Sequence, residues 1–85
     1  MLTSGQLRAA RALLGIDQKT LAELSGVSIP TIQRMEASEG NVRGNVDSLT
    51  KILDALDRAG VQVINEGAAS PEGGRGVRFN EADRK

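Results

Sequence analysis

Three times near its start, this chain places a short polar residue between two apolar residues that stand five positions apart. Leu2 and Leu7 flank Thr3, Ile16 and Leu21 flank Asp17, and Val27 and Ile32 flank Ser28. A helix N-cap needs a side-chain oxygen to hold the first unpaired amides, and an apolar pair across the cap staples the entering chain to the first turn. The spacing therefore predicts three short helices in succession. The first is capped by Thr3, with Gln6 completing a capping box; Leu7, Ala10, Arg11 and Leu14 follow at helical spacing, and Gly15 ends it. The second runs from Gln18 to Leu24 behind Asp17, about two turns, and is stopped by Ser25-Gly26. The third runs from Ile29 to Ala37 behind Ser28. Pro30 lies in its first turn, where the missing N–H costs nothing.

Ser38 to Gly44 reads as a loop. Asn45 then caps a fourth helix, Val46 to Ala59, with Val46, Leu49, Ile52, Leu53 and Leu56 expected on its apolar face and Asp47, Lys51, Asp54, Asp57 and Arg58 toward water. After Gly60 the period changes. Val61-Gln62-Val63 and Gly76-Val77-Arg78-Phe79-Asn80 alternate as strands do, separated by a glycine-rich stretch, Gly67 to Arg75, expected to be a flexible loop. Residues from Glu81 onward are charged and expected to fray. A two-stranded ribbon is marginal alone, so this one must cap the core or pair with the strand of another copy. The expected fold is mainly α: four helices in residues 1–60, a short C-terminal β-ribbon in 61–80 that can serve dimerisation, and a tail in 81–85.

Composition narrows the chemistry. With 85 residues the chain makes one small domain, and Phe79 is its only aromatic, so the core must be aliphatic. It has no Cys and no His, which removes disulfides, Cys/His metal sites, thiol nucleophiles and imidazole bases. No carboxylates stand at metal-binding or acid–base spacing, so the sequence points to no catalytic residue, metal or cofactor. Apolar runs are short and the start lacks a basic-then-apolar leader pattern. The expectation is a soluble, cytoplasmic, non-enzymatic protein with no membrane partner. Its 11 basic and 11 acidic residues cancel, so any affinity for phosphate must come from a local patch rather than from net charge.

The second and third helices, joined by Leu24-Ser25-Gly26-Val27-Ser28, have the form of a helix-turn-helix: two short helices and a tight glycine-containing turn. Ala22 is small where the helices cross. Val27, Ile32 and Met35 anchor the third helix and leave its N-terminus outward.

The pattern Leu7-Arg8-x-x-Arg11-x-x-x-Gly15-Ile16-x-Gln18-x-x-Leu21-Ala22-x-x-Ser25-Gly26-Val27-Ser28, continuing Thr31-Ile32-Gln33-Arg34-Met35-Glu36, resembles the Xre/Cro, lambda-repressor-like family of bacterial and phage regulators. Leu49-x-x-Ile52-Leu53-x-x-Leu56 agrees with that family's following helix. The resemblance implies a homodimer on a roughly palindromic operator of double-stranded DNA, with half-sites ~34–36 Å apart. It implies that the third helix reads bases through Ile29, Pro30, Thr31, Gln33 and Arg34. Gln18 is expected to contact phosphate, with Lys19, Ser28, Asn41 and Arg43 flanking that surface. It also implies that Arg11 and Glu36 pair inside the domain. Where family members commonly carry Gln, Ser or Arg at the start of the reading helix, this chain has Ile29 and Pro30, which suit thymine methyl groups rather than hydrogen bonds. Two other readings stay open at this point. One is the antitoxin of a toxin–antitoxin pair that autoregulates through the same core; the other is a protein-binding module that has lost its operator.

Overall fold

Each helix begins where a short polar side chain takes up an early amide. A computed structural model describes residues 2–64 and 76–80, and in it the four helices are α1 (Ser4–Leu14), α2 (Gln18–Ser25), α3 (Ile29–Ala37) and α4 (Val46–Arg58). Thr3 Oγ1 accepts from the Gln6 amide at 3.1 Å while Gln6 Oε1 accepts from the Thr3 amide at 2.9 Å, a complete capping box. Asp17 Oδ1 accepts from the Thr20 amide at 2.8 Å and Asn45 Oδ1 from the Ser48 amide at 2.7 Å. Ser28 Oγ does the same for Thr31 more loosely, at 3.4 Å.

The stapling residues converge on one aliphatic core. Leu2, Leu7, Leu21, Val27 and Ile32 are buried together with Ala10, Met35, Ile52, Leu56 and Val61, while Leu14, Ile16, Ala22, Val42, Leu49, Val63 and Val77 pack at its margin. The segment after α3, read as a plain loop, is tied to the start of the chain. Thr3 and Asn41 form a β-bridge, the Ser4 amide donates to Gly40 O at 2.9 Å, and the Val42 amide donates to Leu2 O at 3.0 Å.

The structure corrects the expected apolar face of α4. Ile52, Ala55 and Leu56 are buried, but Val46 is 80% exposed and Leu53 is 37% exposed. At about 100° per residue, the buried side centres on Ile52, and Val46 and Leu53 fall roughly 100–120° away from that centre. Ala55, not expected on this face, lies within it. The helix also ends one residue early: Ala59 is its C-cap, and Gly60, at φ 100°, turns the chain into the ribbon.

Strands β1 (Val61–Ile64) and β2 (Gly76–Phe79) pair antiparallel, with Val61 opposite Phe79 and Val63 opposite Val77. The ribbon packs on α1 and α4. Two polar contacts close its ends. Gln6 Nε2 donates to Ile64 O at 2.8 Å and to Gly76 O at 3.3 Å, at the Ile64–Gly76 end of the ribbon, while at the other end the Asn80 amide donates to Gly60 O at 2.7 Å. The expected loop from Gly67 to Arg75 and the expected frayed tail from Glu81 lie outside the described residues.

Gln6 therefore serves two elements at once, since its oxygen caps α1 and its amide holds the ribbon. Gln6→Ala is expected to lower stability by ~1–3 kcal/mol, the cost of leaving half-buried partners unsatisfied, and to speed amide exchange in β1 and β2 more than in α3. Denaturant unfolding with residue-resolved hydrogen exchange checks this; uniform protection loss across the molecule would count against the clamp.

Candidate nucleic-acid interface

The turn between α2 and α3 is fixed by three residues. Gly26 adopts φ 75°, a left-handed conformation that suits glycine, and its amide donates to Ala22 O at 2.9 Å. The buried Ser25 donates through Oγ to Leu21 O at 2.7 Å and accepts from the Val27 amide at 3.2 Å. Val27 is itself buried. The turn thus holds its own polar groups and sets the angle at which α3 leaves.

Buried and exposed residues then divide α3 cleanly. Ile32, Met35 and Glu36 point inward, whereas Ile29, Pro30, Gln33, Arg34 and Ala37 are exposed and form one continuous outer arc. Thr31 sits between the two sides; its Oγ1 is 2.8 Å from Ser28 Oγ, and Arg34 Nη2 reaches it at 3.5 Å.

Glu36 anchors the inner side. Arg11 Nε donates to Glu36 Oε2 at 2.8 Å and Arg11 Nη2 to Oε1 at 2.9 Å, a two-pronged ion pair between α1 and α3. Arg11 Nη1 also donates to Ile16 O at 3.2 Å, and Gln18 Nε2 donates to Glu36 Oε1 at 3.2 Å. Arg8 is exposed, yet its Nη1 donates to the Glu36 carbonyl at 2.9 Å. Burial pushes the Glu36 carboxyl upward, but the hydrogen bonds from Arg11 and Gln18 and the nearby guanidinium charges outweigh it, leaving the group below the usual glutamate range. The same pair raises the Arg11 guanidinium above its ordinary value.

The residues expected to touch phosphate are placed unequally. Arg34 and Arg43 flank one shallow cleft with Ala37, Ser38 and Glu39. Ser38 organises it: its Oγ donates to Arg34 O at 2.9 Å and accepts from the Arg43 amide at 3.0 Å. Gln18 stands at the start of α2 with its amide turned to Glu36. Ser28 is exposed and joined to Thr31. Lys19 and Asn41 are exposed, and neither lines the Arg34–Arg43 cleft. Ser25 and Ser38 carry structural roles that the sequence reading missed. A Ser at or just past a helix C-terminus, within reach of the carbonyl four residues back, was the available signal for both.

The helix-turn-helix family, of the Xre/Cro type, matches residues 7–59, from within α1 to the end of α4. It is a family of DNA-binding regulators rather than of enzymes. No curated protein matches the chain. Among the described residues, no helix is long and apolar enough to cross a membrane.

Two outcomes follow from the Glu36 anchor. Glu36→Ala is expected to destabilise the domain by ~3 kcal/mol, the low end for breaking a buried pair, because Arg11 keeps 24% of its side chain exposed. A carboxyl with a lowered folded pKa contributes stability that is fully present above its unfolded value, ~4.3, and is lost as pH falls through the lower folded value. The wild type should therefore lose stability below about pH 4.3 faster than Glu36→Gln. Parallel acid titrations of the two proteins would expose an error here.

Proposed function

The chain belongs to the helix-turn-helix family of DNA-binding regulators, and from that premise we propose that it binds a roughly palindromic operator as a homodimer and regulates transcription in the cytoplasm. The single observation that carries the reading is the outer arc of α3. Ile29, Pro30, Gln33 and Arg34 are all exposed there, while the ribbon packs on α1 and α4. Gln33 and Arg34 offer hydrogen bonds to adenine or guanine edges, and Ile29, Pro30 and the Thr31 methyl offer apolar contact. Gln18, Lys19, Ser28, Asn41 and Arg43 are assigned to phosphate, with Arg43 beside Arg34 at one cleft. The function requires no catalytic residue and no cofactor.

Dimerisation is supported by the ribbon's far side. Among the described residues two strands make the sheet, so β2 has an edge that β1 does not cover. Beside it lies a trough of Leu13, Val77, Arg78 and Phe79, in which Leu13 is 37% and Phe79 41% exposed. A strand edge can pair antiparallel with its own copy about a two-fold axis, as an isologous contact requires, and the exposed apolar side chains beside it would then be covered.

Selection of bound duplexes from a random pool should return a two-fold symmetric consensus, and log affinity should fall steeply with log salt. A chain that acts only on proteins would return no consensus. Arg34→Ala should keep the wild-type melting temperature and weaken operator binding by ~1–3 kcal/mol; unchanged affinity would remove Arg34 from the interface. Phe79→Ser should shift the chain toward monomer in sedimentation, and a wild type that is already monomeric when bound to its operator would refute the ribbon as the dimer contact.

A further inference from the structure

The leading edge of α3 is unusual for a surface meant to read hydrogen-bonding patterns, because it offers almost none. Ile29 is 36% exposed and Pro30 is exposed, and neither side chain has a donor or an acceptor. Proline also lacks the backbone N–H that another residue would present at that position. Just behind them, the Ser28 and Thr31 hydroxyls lie 2.8 Å apart and engage each other, and Ser28 Oγ accepts the Thr31 amide. Polar groups return only one turn further along, at Gln33 and Arg34.

The occupant of this apolar edge is DNA rather than protein on two grounds. The edge is continuous with the face that helix-turn-helix regulators turn to the major groove. The same outer arc also carries a cation, Arg34, which with Arg43 and Glu39 lines a cleft at the far end of α3, and an exposed guanidinium complements a polyanion.

In the major groove thymine shows a C5 methyl beside the O4 acceptor, while cytosine shows an N4 donor and a bare C5. A reader with donors or acceptors distinguishes O4 from N4; an apolar reader cannot, and registers only whether the methyl is there. 5-Methylcytosine carries its methyl at the same ring position as thymine. We infer that Ile29 and Pro30 recognise the C5 methyl of pyrimidines as such, so that 5-methylcytosine is accepted in place of thymine and cytosine methylation governs operator binding. This inference rests on the operator-binding reading.

The test uses the full chain and the duplex obtained by selection, with single-position replacements. Removing one contacted methyl, thymine to deoxyuridine, should weaken binding about fourfold, the worth of one buried methyl group. Replacing that thymine–adenine pair by cytosine–guanine should weaken it at least as much. Replacing it by 5-methylcytosine–guanine should recover the loss attributable to the methyl. Ile29→Ser, at an exposed position, should retain the melting temperature and lower the preference for thymine over deoxyuridine duplexes. Equal affinity for thymine and deoxyuridine at every position of an operator that does bind would overturn the inference while leaving operator binding intact. A protein that selects no duplex at all would overturn the operator reading itself.

Discussion

The ion pair between Arg11 and Glu36 is the contact on which the useful geometry of this small domain depends. It joins the last turn of α1 to the last turn of α3 through two parallel hydrogen bonds of 2.8 and 2.9 Å. Such a pair adds little net stability over apolar side chains of similar size, because both charges lose water. What it adds is direction. A planar guanidinium facing a carboxylate permits few arrangements, and Arg8 and Gln18 fasten the same glutamate from two further points. With the inner side of α3 so held, the outer side is fixed, and the arc from Ile29 to Arg34 is a rigid surface rather than one of several poses.

The rest of the molecule compensates for a core without aromatic bulk. Aliphatic packing gathers the four helices, but the joints are polar. Ser25 closes the turn between α2 and α3, Ser38 closes the exit from α3, and Gln6 ties the cap of α1 to the ribbon. Each polar atom sits where a helix end or strand end leaves carbonyls or amides to be satisfied. The result separates two surfaces. The exposed arc of α3 occupies one, and α1 and the ribbon together present Leu13, Val77 and Phe79 on another.

Much of this was legible in the sequence because helix starts are local events. Thr3, Asp17, Ser28 and Asn45 each act on an amide three residues away, so a reader needs only a short window to find them. The exposed arc of α3 followed from the inward placement of Ile32 and Met35. Apolar counting failed on α4, where it gathered Val46 and Leu53 with the true contact residues; only the position of α2 and β1 decides which arc is covered. Contacts between distant residues left no local trace. The hold of Gln6 on Ile64 and Gly76, the reach of Arg8 to the end of α3, and the turn of Gln18 toward Glu36 all depend on the assembled fold. The pairing of Arg11 with Glu36 was anticipated from family resemblance alone; no short-range pattern links residues 25 positions apart.

The central claim is that the outer arc of α3 lies against base pairs. Amide chemical-shift mapping during titration with the selected duplex tests it most directly. The account predicts that the largest changes fall on Ile29 to Arg34, with smaller ones at Gln18 and Arg43. Changes confined to α1 and the ribbon, around Leu13 and Phe79, with α3 silent, would contradict it.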